Sequence, residues 1–280
     1  MRVRKIVSKQ LLEVSELVFS HAVDATLSIV AYLVAFGDIQ TQFSAPFHAR
    51  IESEKFLRTV NYDAIKHALI TASKHGFIKR KRHAMPEITK AGMKRLASVI
   101  PSYDEIRMWD KRLHIVTYDI PEKKKHTRDV LRMYLKQIGC AKLQASVWLT
   151  PYDPIDIIRQ FIKEKEIEGT VIVSNLGIDA SIGDETIQEL VFRIYNLQGL
   201  EDRYTEWMEK YEGESIAVIG YKGFCEYLAI LKDDPQLPFV LLEKKWSGER
   251  AYKIIKPVFS MLSFTRAAAS VKDNMGLFGL

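Results

Sequence analysis

Cysteine is nearly missing from this chain of 280 residues: there are two, Cys140 and Cys225, and neither stands in a CxxC pair or beside a Cys/His cluster. That excludes a disulfide framework and a structural zinc site, and it fits a reducing cytoplasm. Long hydrophobic runs are missing too. The longest, Ala25 to Phe36, falls short of the roughly twenty residues that span a bilayer. The basic start MRVRKIVSK meets Glu13 and Glu16 instead of the apolar core of a signal peptide, so a cytoplasmic chain with no membrane association is expected. There is no Gly-rich phosphate loop, nucleophile elbow or His-carboxylate constellation, and the seven histidines are scattered. No cofactor, no metal and no enzymatic activity are therefore expected.

What is present is ordinary globular composition, 47% hydrophobic and 27% charged, with length enough for two or three domains. The charge is spread unevenly. Residues 1–100 hold 16 Lys/Arg against 8 Asp/Glu, and residues 101–150 hold 10 against 6. Residues 151–200 reverse this, with 4 against 9, and residues 201–280 are near balance at 11 against 12. The N-terminal half is thus the half suited to a polyanion.

That half also carries a DNA-reading pattern. Residues 9–20 and 24–36 read as helices, the second apolar all round and hence buried, and residues 38–50 lack any period and read as a loop. A short helix follows at Ile51–Arg58. Asn61 is a suitable N-cap for a helix over Tyr62–His75, in which Ile65, Ala68, Leu69 and Ala72 form the inward stripe and Gly76 the stop. Tyr62, Lys66, His67 and Lys74 remain on the outer face, the polar and partly basic face a recognition helix offers to the major groove. Phe77–Arg80 then reads as a strand, Lys81–Ala84 as a basic tip, Met85–Thr89 as the returning strand and Ala91–Val99 as a closing helix. This is the order of a winged helix-turn-helix. Its wing would bring Lys79, Arg80, Lys81 and Arg82 to phosphates or the minor groove.

After a polar hinge at 101–110, the period alternates between strand and helix. Leu113–Tyr118 is a β-rich run ended by Asp119, Ile120 and Pro121. A helix from Lys123 follows, with Val130, Leu131, Tyr134, Leu135 and Ile138 on one face and Lys125, Arg128, Arg132 and Lys136 on another. AKLQ and SVWLTPY form two short strands around Ala145. Asp153 and Pro154 start a helix with Ile157, Ile158, Phe161 and Ile162 on one stripe, and Thr170–Ser174 reads as a last strand before a Gly-containing loop, SNLGIDASIGDE. The order β-α-β-β-α-β is the ferredoxin-like arrangement. Beyond it the chain is helical, with Leu190, Val191, Ile194 and Tyr195, then Leu200, Tyr204, Trp207, Met208 and Tyr211, on inward stripes, and a further apolar helix at 216–231. The expected fold is α+β: a winged helix-turn-helix at 1–100, the hinge, a ferredoxin-like domain at 111–180, a helical C-terminal domain at 181–265 and a tail at 266–280.

YDIPEKKK followed by QASVW resembles the middle domain of the phenylacetate-degradation repressor (PaaX-like) family of transcriptional regulators. It is also similar to the small nuclease-like subunit of CRISPR spacer acquisition, which shares this fold and a YDI-then-SV pattern. EITKAGMKRL resembles the wing of many bacterial regulators, where hydrophobic-Thr-x-x-Gly leads into the last helix. The C-terminal pattern Asp234, Pro235, Leu237, Pro238, Leu241, Leu242, Trp246, Gly248 and Ala251, with Leu200 and Tyr204 before it, resembles the PaaX-like family and not the stand-alone CRISPR subunit. Where that family often has a second arginine on the recognition helix, this chain has Thr71, which leaves the operator sequence open.

The resemblance implies a homodimeric repressor that binds a double-stranded DNA operator, palindromic as dimers require, and is released by an aryl-CoA effector. The nuclease-like relatives imply an alternative: a metal-dependent nuclease in which Asp119, at the end of the first strand, binds Mg2+. Against it stand the single carboxylate, the nearby Lys123, Lys124 and Lys125, and a structural role for Asp119 accepting backbone N–H bonds at the helix start behind Pro121. His67 and His75 are assigned to the DNA face or to packing, and His114 to the core or a dimer face.

Overall fold

The computed structural model describes residues 18, 21, 23–32, 62–79, 87–177 and 185–275, with side chains described from 67 in the second of these stretches and as far as 262 in the last. The expected helices at 9–20 and 51–58, the loop at 38–50 and the hairpin tip fall outside them. Contacts divide the chain into two units, one of residues 1–103, 203–233 and 247–280, the other of residues 104–202 and 234–246.

In the first unit, residues 23–32 form α1, buried as expected: Leu27, Ile29, Val30, Ala31 and Tyr32 are all buried, but so are the polar Asp24, Thr26 and Ser28, so the helix is not apolar all round. Helix α2 (Tyr62–Lys74), the short strands β1 (Ile78–Lys79) and β2 (Glu87–Ile88), and α3 (Lys90–Val99) close a small core with it. Leu27, Ala31, Ala72, Ile78 and Leu96 form that core, with Leu69, Phe77, Ile88, Val99 and Leu262 packed around them. The strands pair antiparallel, Ile78 opposite Ile88 and Lys79 opposite Glu87.

The C-terminal helices of this unit are the second part of α7 (Leu197–Tyr211), α8 (Ile216–Asp233) and α9 (Ser247–Met275). Their core is aromatic: Tyr204, Trp207, Phe224 and Tyr227 are fully buried, and the Trp207 indole N–H donates to the Gly223 carbonyl at 2.9 Å. Helix α8 is broken at Gly220, whose φ of +57° and ψ of −172° few other residues adopt. Tyr221, just past the break, shares a 2.5 Å hydrogen bond with Ser28 of α1.

The second unit holds β3 (Arg112–Asp119), a 3-10 turn at Glu122–Lys124, α4 (Lys125–Gln137), β4 (Ala141–Gln144), β5 (Val147–Thr150), α5 (Ile155–Glu164) and β6 (Thr170–Gly177). The four strands form one antiparallel sheet in the order β4-β5-β3-β6, with α4 and α5 on one face. Val116, Tyr118 and Trp148 face Leu131, Leu135 and Ile158 there, and burying side chains of this size is worth about 1.5–3 kcal/mol each. The rings of Tyr134 on α4 and Phe161 on α5 stack at 3.6 Å.

Strand β6 corrects the sequence reading. It continues through Gly177, so SNLG, expected as loop, is strand. The reason is the partner: β3 starts at Arg112 and offers ladder positions as far as Arg112 opposite Gly177. A capping box of Thr186 and Glu189 then opens α6 (Ile187–Ile194), which ends before Asn196 at positive φ.

The C-terminal signature splits between the units. Its first part, Asp234–Trp246, closes on the segment that leads into β3. Arg107, 8% exposed, donates to the Leu237 carbonyl at 2.8 Å and lies over the Phe239 ring at 4.4 Å. Tyr152 donates to the Gln236 carbonyl at 2.6 Å, and the Asp104 N–H donates to Gln236 Oε1 at 2.6 Å.

Candidate nucleic-acid interface

The hairpin region is held by one threonine. Thr89 accepts from the Gly92 N–H at 3.1 Å as the N-cap of α3, and its hydroxyl donates to the Gly76 carbonyl at 2.6 Å. Its own N–H donates to Phe77 O at 2.9 Å. Gly92 is required by space: a Cβ there would sit 2.1 Å from the Phe77 carbonyl oxygen. The Thr-x-x-Gly pattern is thus the joint that fixes the end of α2, the start of β1 and the start of α3 to one another.

On this frame His67, Lys74 and Lys79 are exposed, as a DNA-facing role requires. Tyr62 and Lys66 lie in α2, but their side chains, like Asn61 and the wing residues Arg80, Lys81 and Arg82, are outside the described residues. Thr71, half-buried, donates to the His67 carbonyl at 2.9 Å, a bond within the helix. His75 is exposed and stacks on Phe77 at 5.6 Å. Sequence reasoning passed over Lys90 and Lys94, which are exposed on the first turns of α3. Their i, i+4 spacing next to the N-cap was the available signal.

The frame is anchored by a buried carboxylate. Asp24 of α1, 3% exposed, takes two hydrogen bonds from Arg95 of α3, which hold the arginine in its charged form.

Asp119 does not have the partners expected of it. It is exposed at the end of β3, opposite Thr170, and its carboxylate accepts no hydrogen bond from the described residues. The first turn behind it is closed by the Pro121 carbonyl, which accepts from Lys124, and the turn has no side-chain cap. Among the described residues no group of three or more His, Cys, Asp or Glu could hold a metal ion. His114 is core, 1% exposed, with Nε2 3.4 Å from Asp110 and Nδ1 4.0 Å from Asp153. Both thiols are buried, and burial pushes the Cys140 thiol up to about 12 and that of Cys225 to about 12.

Among the described residues no helix is long and apolar enough to cross a membrane. Residues 107–185, which hold the β3-to-β6 sheet and its two helices, match the family model of the PaaX protein central Cas2-like domain, and the match runs on to the start of α6. The uncharacterized protein Rv0674 from Mycobacterium tuberculosis has a similar fold, with a TM-score of 0.51 and 15% identity over 76% of this chain and 86% of that one. No curated protein matches the chain.

Proposed function

We propose that the protein is a sequence-specific, DNA-binding transcriptional regulator of the PaaX type, not an enzyme, acting in the cytoplasm as a homodimeric repressor. The observation that carries this reading is the β1–β2 hairpin beside α2, in a frame fixed by Thr89 and Gly92. Helix α2 exposes His67 and Lys74, β1 exposes Lys79, and all of this stands in one chain with a match to the PaaX central domain. In this reading residues 1–100 are a winged helix-turn-helix, with Asn61, Tyr62, Lys66, His67 and Lys74 on the recognition helix and Lys79, Arg80, Lys81 and Arg82 on the wing. Residues 101–110 are the hinge, 111–180 the ferredoxin-like dimerisation domain and 181–265 the helical C-terminal domain, whose last helix, α9, continues to Met275 through most of the expected tail. An aryl-CoA thioester is the proposed effector.

The test is to sequence the DNA that co-purifies with the full chain from cells. Enrichment of one short palindromic sequence is expected. Recovery of DNA without any sequence preference would overturn the reading.

A further inference from the structure

The central domain carries a second concentration of positive charge that the hairpin reading does not use. On α4, Lys125, Arg128, Arg132 and Lys136 recur every three or four residues, so they fall on one stripe of the helix. The buried Leu131 and Leu135 occupy a different face, against the sheet. Lys123, in the turn just before, adds to the same end.

The partners of these groups differ. Arg132 belongs to the fold: it donates to the Tyr118 hydroxyl at 2.8 Å and pairs with Asp129 at 3.3 Å. Lys123, Lys125 and Lys136 are exposed and have no ion-pair partner among the described residues. Arg128 donates to the Glu122 backbone carbonyl at 3.3 Å, a neutral acceptor, which leaves its charge uncompensated. The first turn of α4 holds no acid, and Asp129, already paired, is the one carboxylate within the helix. A surface helix usually intersperses acids at i, i+4, because like charges at that spacing repel. Here they are left together along about 16 Å of helix.

We propose that this stripe of α4 is a second binding surface for the phosphate backbone of duplex DNA. It would contribute sequence-independent affinity in addition to the contacts of the hairpin. The inference rests on the reading that the protein binds duplex DNA. The charge complementarity singles out a polyanion with regularly repeated charges. A membrane surface would also need apolar side chains to insert, and beside the stripe only Met133 is a large exposed apolar residue on α4.

The experiment compares full-length wild type with K125Q/R128Q/K136Q by fluorescence anisotropy on a random-sequence duplex across a salt series. Arg132 is left in place because it supports the fold. Each lost phosphate contact should lower the log-log salt slope by about 0.9, so the triple variant should lose about 2 to 3 units of slope and bind at least tenfold more weakly at low salt. K125R/K136R should keep the wild-type slope. If the triple variant unfolds, K125Q and K136Q singly should each lower the slope by about 0.9. A wild type that binds with a slope these variants leave unchanged overturns the α4 surface and leaves the hairpin reading intact. A wild type that binds no duplex overturns both. If self-association falls instead of the slope, the stripe is a protein contact and the proposal fails.

Discussion

Arg95 grips both oxygens of the buried Asp24 carboxylate, Nε to Oδ1 at 2.8 Å and Nη2 to Oδ2 at 2.7 Å, and so ties α3 to α1 across 71 positions of sequence. Asp24 is buried while the Arg95 side chain is 40% exposed, so removing the arginine alone leaves a desolvated carboxylate without this partner, which is worse than removing both charges. Arg95→Met should lower the thermal midpoint by several degrees, and Asp24→Asn added to it should restore part of the loss. Strictly additive losses in differential scanning fluorimetry would refute this coupling.

The contact between Gly92 and the Phe77 carbonyl predicts a second stability effect. Gly92→Ala places a methyl group where backbone already sits, and relieving that clash should cost about 1–3 kcal/mol in urea unfolding. An alanine variant as stable as wild type would show that the hairpin joint has slack.

The hairpin itself should show in the ionic-strength dependence of DNA binding. Arg80→Gln and Arg82→Gln should each lower the log-log salt slope by about 0.9 on any duplex, and Lys79→Gln should do the same. Folded variants with the wild-type slope would remove the wing from the interface.

Self-association is expected to use the sheet face that α4 and α5 leave uncovered. Val147, Thr117 and Ile172 stand side by side there by register, and Ile172 is 53% exposed on its long edge strand. Ile172→Glu should turn a sedimenting dimer into a monomer with an unchanged thermal midpoint. A variant that stays dimeric would move the interface elsewhere.

Asp119→Asn should keep operator binding and change stability by no more than about 0.5 kcal/mol, since the carboxylate is exposed and has no hydrogen bond to lose among the described residues. Incubation with labelled single-stranded RNA and duplex DNA in Mg2+ or Mn2+ should yield no cleavage by wild type or variant. Cleavage that disappears in Asp119→Asn would establish the nuclease alternative.

Local periodicity made much of the central domain legible, because its elements are short and their partners lie close in sequence. Leu131 and Leu135 face the sheet as their spacing requires, and Trp148 lies in the core. The full length of β6 was not legible, since Asn175 and Gly177 have low strand propensity and are held by the register of β3. The Thr89-to-Gly92 pattern was visible as a motif, but its reason, the Phe77 carbonyl from an earlier strand, exists only once the hairpin has closed. Asp24 stands at the start of a helix that read as apolar all round, and nothing local marks Arg95 as its partner. Arg107 likewise read as part of a polar hinge, whereas its burial depends on Leu237 and Phe239, more than a hundred residues on.

The Ser28–Tyr221 hydrogen bond has a bearing on the order in which the protein can fold during synthesis. The two residues are 193 positions apart, and Leu262 completes the packing around Leu27 and Ala72. The central domain closes through nearer pairings, β3 with β5 and β6, and can form while the chain is still emerging from the ribosome. The hairpin's own buried cluster, Leu27, Ala31, Ala72, Ile78 and Leu96, is complete early, and only the covering layer to which Leu262 belongs waits for the last long helix. A prematurely terminated chain would therefore keep this small core but lack the outer packing and the Ser28–Tyr221 bond that brace it.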